Sequence, residues 1–148
     1  MKILLLALSV FSYRISQQPI TALESVSWCS SPEDIFIPET LALLPDPPVR
    51  GEKLTIQLKG QLKEKVDQSS VAQVRVKLGF IQLVDQPFDL CEQIGQVGKE
   101  CPLEKGELVV EHTVDIPAQV PPGKYNIHVT GTNQDQLPIT CLDATFRM

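Results

Sequence analysis

The chain has 148 residues, 43% hydrophobic and 21% charged, with a formal net charge of −5. That length suits one domain able to bury a core of its own. An acidic balance with no run of Lys or Arg lacks the electrostatic footprint of a nucleic-acid binder, so no nucleic-acid partner is expected.

Met1-Lys2 is a short positive start, and Ile3–Phe11 is an apolar run interrupted only by Ser9. The run is too short for a transmembrane helix, which needs about 20 apolar residues. It fits the h-region of a secretory signal, expected over residues 1–17, with small residues near Ser12 and Ser16 for cleavage. A buried N-terminal strand is the alternative reading. Removing Lys2 and Arg14 with the leader leaves 11 basic against 18 acidic residues, a balance of −7. Residues 18–27 are polar and patternless and read as a short pro-segment or flexible arm. The domain is expected over 28–148, in the secretory pathway, with the vacuole lumen or the exterior as its destination.

Trp28-Cys29 opens the domain. Ile35–Ile37 and Leu41–Leu44 read as an early strand or two. Pro45-Asp46-Pro47-Pro48 is a rigid break with Gly51 as the turn residue. Leu54–Leu62 alternates apolar and polar, the pattern of a half-buried strand. Val71–Phe80 alternates again, with Val74, Val76, Leu78 and Phe80 on one face. A phase change at Phe80-Ile81 suggests a bulge or a strand crossing an edge. Leu108, Val110, His112, Val114 and Ile116 form the next inward face, with Val109 opposite. Pro121-Pro122-Gly123 is a turn. Tyr125, Ile127 and Val129 alternate after it, 133–136 is a hairpin-like turn, and Ile139–Met148 is the closing strand. Six or seven short strands with regular turn signals predict an all-β sandwich.

Phe88–Gly106 stands apart from this rhythm. Cys91 and Cys101 bracket nine residues containing two glycines, and Pro102 follows at once. It reads as a stapled loop, which requires an oxidising compartment. Four cysteines allow three connectivities; taking the local pair Cys91–Cys101 leaves Cys29–Cys141. A zinc site is the competing reading, but the spacings do not fit C-x2-C ligand pairs and only His112 and His128 are available to help. No metal and no cofactor are expected.

Catalytic signatures are missing from the sequence. There is no G-x-S-x-G, no H-E-x-x-H and no glycine-rich phosphate loop. His112 sits between Val110 and Val114 on an apolar face and reads as a core or cavity-edge histidine, and His128 as a solvated one. No enzyme is expected, and no catalytic residue is assigned. Lys99, Lys105 and Lys124 are placed in loops near the staple, either as solvated charge or as a rim for anionic lipid head groups.

The segments D-L-C-E-Q…C-P-L-E-K-G-E-L, D-I-P-A-Q-V-P-P-G-K-Y and I-T-C-L-D-A-T-F, with P-D-P-P-V-R-G-E-K-L-T-I, carry a resemblance. From Trp28 to Met148 the chain resembles the ML lipid-recognition domain family. Within it, the chain is most similar to the phosphatidylglycerol/phosphatidylinositol transfer proteins of fungi; the Niemann-Pick type C sterol carrier is a relative. The resemblance implies an immunoglobulin-like two-sheet β-sandwich with an apolar cavity between the sheets. It supports pairing Cys29 with Cys141 and Cys91 with Cys101. It implies a monomer that carries phosphatidylglycerol, phosphatidylinositol or sterol and touches membrane surfaces transiently. An intralumenal sterol-binding protein that delivers cargo to a membrane partner is the alternative. The third, short cysteine pair of the animal sterol carriers has no counterpart between Cys29 and Cys91. Inward phase and nearness to the staple nominate Val76, Leu78, Phe80, Phe88, Pro102, Leu103, Leu108, Val110, Tyr125 and Ile127 as lipid-binding residues.

Overall fold

The structure is a computed structural model that describes residues 25–148. The expected signal over 1–17 and residues 18–24 of the expected arm lie outside the described residues. Eight strands and one short helix follow in order: β1 (Val26–Trp28), β2 (Phe36–Leu44), β3 (Lys53–Leu62), β4 (Val71–Leu78), β5 (Ile81–Asp89), α1 (Leu90–Gln96), β6 (Gly106–Asp115), β7 (Lys124–Thr132) and β8 (Pro138–Arg147). Val26 and Ser27, read from sequence as the end of the arm, pair with Ala144 and Asp143 as part of β1.

All pairings are antiparallel. One sheet has the order β1-β8-β7-β4-β5 and the other β2-β3-β6. Alternation sets the faces, because successive side chains of a strand point to opposite sides. β6 shows it cleanly, with every second residue from Leu108 half-buried and the intervening ones exposed. The two short apolar runs near the start are a single strand, β2, with a register shift between Pro38 and Thr40.

Two expectations are corrected. The phase change at Phe80-Ile81 is not a bulge. Leu78 pairs with Ile81, so Gly79-Phe80 is a two-residue hairpin loop. Gly79 has φ +57°, and a glycine with positive φ at the first loop position suits a type II′ turn. The register shift lies inside the ladder instead, between Val76 and Lys77. The stapled loop, read as irregular, contains α1. Asp89 caps it by accepting from the Glu92 N–H at 3.2 Å. The Asp-x-x-Glu spacing and the Leu90/Ile94 pair at i, i+4 were the available signals.

The fully buried apolar core sits at one end of the sandwich. It comprises Ile35, Phe36, Leu62, Val66, Leu103 and Ile139, with Leu90 and Ile94 of α1 packed against it. The Val66–Leu103 bridge ties the 63–70 turn to the stapled segment, with backbone bonds of 2.9 and 2.7 Å. At Gly60 an added Cβ would lie 2.4 Å from both the Phe36 ring and the Ile37 carbonyl oxygen. Gly60→Ala is therefore expected to destabilise by about 1–3 kcal/mol through overpacking, read as a lowered urea midpoint at unchanged m-value.

Candidate functional site

Beside the buried end lies an apolar cavity of about 190 Å³ between the two sheets. The three-stranded sheet contributes Phe36, Leu58, Leu62 and Leu108, and the five-stranded sheet Trp28, Val129, Ile139 and Leu142. Val66, Leu90, Ile94 and Leu103 close its end. An apolar cavity of about 150 Å³ already stays dry and takes a benzene-sized guest. The Thr140 side chain also lines the cavity, and its hydroxyl is buried without a hydrogen-bond partner among the described residues.

The inward faces continue past this cavity. Register places Leu58 opposite Val110, Ile56 opposite His112 and Leu54 opposite Val114 on one sheet. On the other, Val129, Ile127 and Tyr125 face Val74, Val76 and Leu78 across β7–β4. Stacked sheets normally interdigitate about 10 Å apart and bury such residues. Here, of all these residues, only Tyr125 is buried; the rest stay half-buried. The sheets therefore meet at one end and are separated by an apolar slot along the rest of their length.

The nominated lining residues divide accordingly. Leu103 and Leu108 line the cavity itself. Val76, Leu78, Val110 and Ile127 lie on the inward faces of the slot, and Phe88 shares that face as the partner of Ala72 on β5. Tyr125 has the right phase but stacks on Phe146 at 5.9 Å and donates its hydroxyl to the Pro121 carbonyl, so it closes the far end of its sheet. Pro102 is exposed, and Phe80 is fully exposed at the hairpin tip, outside the slot. Sequence reading missed Trp28, Phe36, Leu58, Leu62, Val66, Leu90, Ile94, Val129, Ile139 and Leu142. Leu58, Leu62 and Val129 carried the same inward alternation as the residues that were chosen; Ile139 is out of phase with Leu142 and enters at the register shift of β8.

The disulfides are Cys29–Cys141 and Cys91–Cys101. His128 lies close to the first, whose sulfurs are joined to one another. His128, read as solvated, sits with Nδ1 2.5 Å from Asp143 Oδ1. His112 faces the slot, half-buried beside Ile56. Lys99 lies within the stapled loop and Lys105 just after it, but Lys124 opens β7 at the opposite end of the sandwich, so the three do not form one rim. β7 runs away from its first residue toward the buried end, which sequence distance to the staple did not reveal.

Two disulfides place the chain in an extracellular or lumenal setting. A two-sheet sandwich with an apolar slot between its layers describes a lipid-binding β-domain. The chain belongs to the ML domain family, whose family model matches residues 24–148. It is 44% identical over 127 residues to a phosphatidylglycerol/phosphatidylinositol transfer protein of Aspergillus fumigatus, covering 85% of this chain and 73% of that one. It is 42% identical over 123 residues to a protein of the same name from Mycosarcoma maydis, covering 82% of this chain but 64% of the relative. Among solved structures it is similar to a Niemann-Pick type C2 protein from the Japanese carpenter ant, with TM-score 0.62 and 17% identity over 82% of this chain and 98% of that one. Chicken MD-1 complexed with lipid IVa gives TM-score 0.58 and 20% identity, covering 82% of this chain and 86% of the other. These two likenesses concern the fold.

Proposed function

We propose that this chain is a lipid transfer protein that moves phosphatidylglycerol or phosphatidylinositol between membranes. The observation that carries the reading is the row of inward-facing apolar residues left half-buried between the sheets. An adhesive module with a filled core would bury them. The names of the curated relatives supply the cargo class.

The physics favours a carrier. An acyl chain moved into water costs about 0.8 kcal/mol per CH₂, so a sixteen-carbon chain faces roughly 13 kcal/mol on that scale. Unassisted exchange is correspondingly slow. A carrier need not outbind a bilayer; it has only to replace water around the chain during transit. No bond is made or broken, so the site requires apolar walls and no nucleophile. The cavity lined by Leu103 and Leu108 takes the end of the chain, and Val76, Leu78, Val110 and Ile127 flank the remainder. The protein acts as a monomer, touches membranes transiently, and works outside the cell or in the vacuole lumen after loss of residues 1–17.

The test is native mass spectrometry of the mature protein after incubation with mixed liposomes of phosphatidylcholine, phosphatidylglycerol, phosphatidylinositol and sterol. A discrete one-to-one adduct of phospholipid mass is expected. A clean apo mass, with no transfer between donor and acceptor vesicles, would show that the slot is closed in solution and overturn the reading.

A further inference from the structure

The end of the sandwich remote from the buried core carries two features that the slot does not explain. The first is a set of cations. Lys124 and Arg147 are cross-strand partners on β7 and β8, and like charges directly opposite each other destabilise a sheet. Among the described residues, neither has a carboxylate within salt-bridge distance, whereas Lys53, Lys59 and Lys65 each do. Arg147 lines two adjoining surface hollows. One, of about 480 Å³, also includes Arg50; the other, of about 280 Å³, includes Lys124; Pro47 belongs to both. Arg50 is held by its bond to the Val120 carbonyl at 3.3 Å. Asp46, next to Pro47, is engaged by the Ser25 hydroxyl.

The second feature is apolar. Phe80 is fully exposed and Ile81 is 63% exposed at the β4–β5 hairpin tip. Leu44 and Val49, which flank the proline-rich break at the same end, are also exposed. The Gly79 N–H donates to the Lys124 carbonyl at 2.9 Å, so the apolar tip is tied directly to the cationic strand. Exposed large apolar side chains at one end of a domain mark an interaction surface. Cations beside them specify its charge.

We propose that this end face, with Arg50, Lys124 and Arg147 as the cationic part and Phe80-Ile81 as the apolar tip, docks onto the surface of an anionic phospholipid bilayer. The inference rests on the lipid-carrier reading and adds to it the partner and the orientation. A protein with net charge −5 is repelled by an anionic surface unless it turns its cationic end toward it. The phosphodiesters supply the counter-charge missing between Lys124 and Arg147, and the phenyl ring enters the interfacial layer.

Sedimentation with vesicles tests this, using the disulfide-intact protein at low salt. Vesicles of phosphatidylcholine alone are compared with vesicles containing phosphatidylglycerol. Binding to the anionic vesicles is expected to be stronger and to fall with added salt. The K124Q/R147Q double variant is expected to lose about 30-fold in partitioning, the factor for two cations at about 1 kcal/mol each. Phe80→Ser is expected to weaken binding to both vesicle types. A K63Q/K65Q control changes net charge equally at the opposite end and is expected to bind like wild type. Equal losses in both double variants, wild-type binding by K124Q/R147Q, or indifference to phosphatidylglycerol would each overturn the docking face. Cargo occupancy by native mass spectrometry separates this from the parent reading. A variant that holds lipid but no longer sediments speaks to docking alone; a wild type that sediments yet never holds lipid defeats the carrier reading alone.

Discussion

Val110→Glu is expected to abolish lipid uptake while leaving a folded, soluble protein. Val110 lies on β6 opposite Leu58, which lines the cavity, and next but one to the cavity residue Leu108. Its half-buried state is decisive. In a closed core an ionised carboxylate would cost several kcal/mol of stability. In a slot that stands open when empty, the carboxylate keeps its water in the unloaded protein. The penalty then falls on the loaded state, where the acyl chain would strip that water. A loss of several kcal/mol in binding exceeds 100-fold in affinity. Val109→Glu is the matched control. Val109 is the adjacent residue on the outer face, 46% exposed, and the same charge there is expected to leave both stability and transfer unchanged. A vesicle transfer assay alongside thermal melts checks both variants. If Val110→Glu unfolds the domain, the sheets are in contact at that depth; if it transfers lipid normally, Val110 does not face cargo.

Much of the fold was legible because alternation in a strand is a local property. β3, β4, β6 and β7 were readable from period-2 patterns in runs of eight to ten residues, and β8 as the closing strand after the 133–136 turn. The β4–β5 hairpin was not, because its loop is only Gly79-Phe80 and an aromatic residue at the second position disguises a turn as a continuing strand. The slot was half legible. Tyr125 and Ile127 are two residues apart with the same phase, yet one is stacked on Phe146 and buried while the other stays half-buried. Phase tells which side of a sheet a residue occupies, and the spacing between sheets decides whether that side is core or cavity. That spacing comes from contacts between the sheets at the buried end, such as the Trp28 ring against Phe36 at 6.1 Å and the Ile35 N–H donating to the Pro138 carbonyl at 3.0 Å, and the second of these joins residues distant in sequence. The cationic end escaped notice for the same reason: Arg50, Lys124 and Arg147 are scattered along the chain and meet only through β7–β8 pairing and the Pro47 turn.

Removing the Cys29–Cys141 disulfide, as C29S/C141S, is expected to cost more stability than any other change considered for this chain. The bridge closes a loop with a sequence separation of 112 residues, against 10 for Cys91–Cys101. In the chain-entropy model the long loop is worth about 5 kcal/mol and the short one about 3 kcal/mol. A domain of this size has about 5–15 kcal/mol in total, so the first loss brings it close to unfolding at 37 °C. The effect on cargo is expected to follow the same order. Cys29 follows Trp28, and Cys141 stands between Thr140 and Leu142, all three of which line the cavity; the Cys29 N–H also donates to the Cys141 carbonyl at 3.0 Å. Without the bridge, β1 is held to β8 by backbone pairing alone, Val26 with Ala144, Ser27 with Asp143 and Trp28 with Leu142, together with the backbone bonds from residue 29 to residue 141 and from Thr145 to Ser25, and Trp28 loses the covalent anchor next to it. C91S/C101S instead loosens α1 and the stapled segment, which supply Leu90, Ile94 and Leu103 to the closed end of the cavity. That variant is expected to remain folded at 25 °C and to bind cargo more weakly. Urea melts of the two variants, with lipid occupancy measured well below each midpoint, resolve the two contributions. Equal losses from both bridges would mean that native-state geometry, and not the length of the loop each closes, sets their worth.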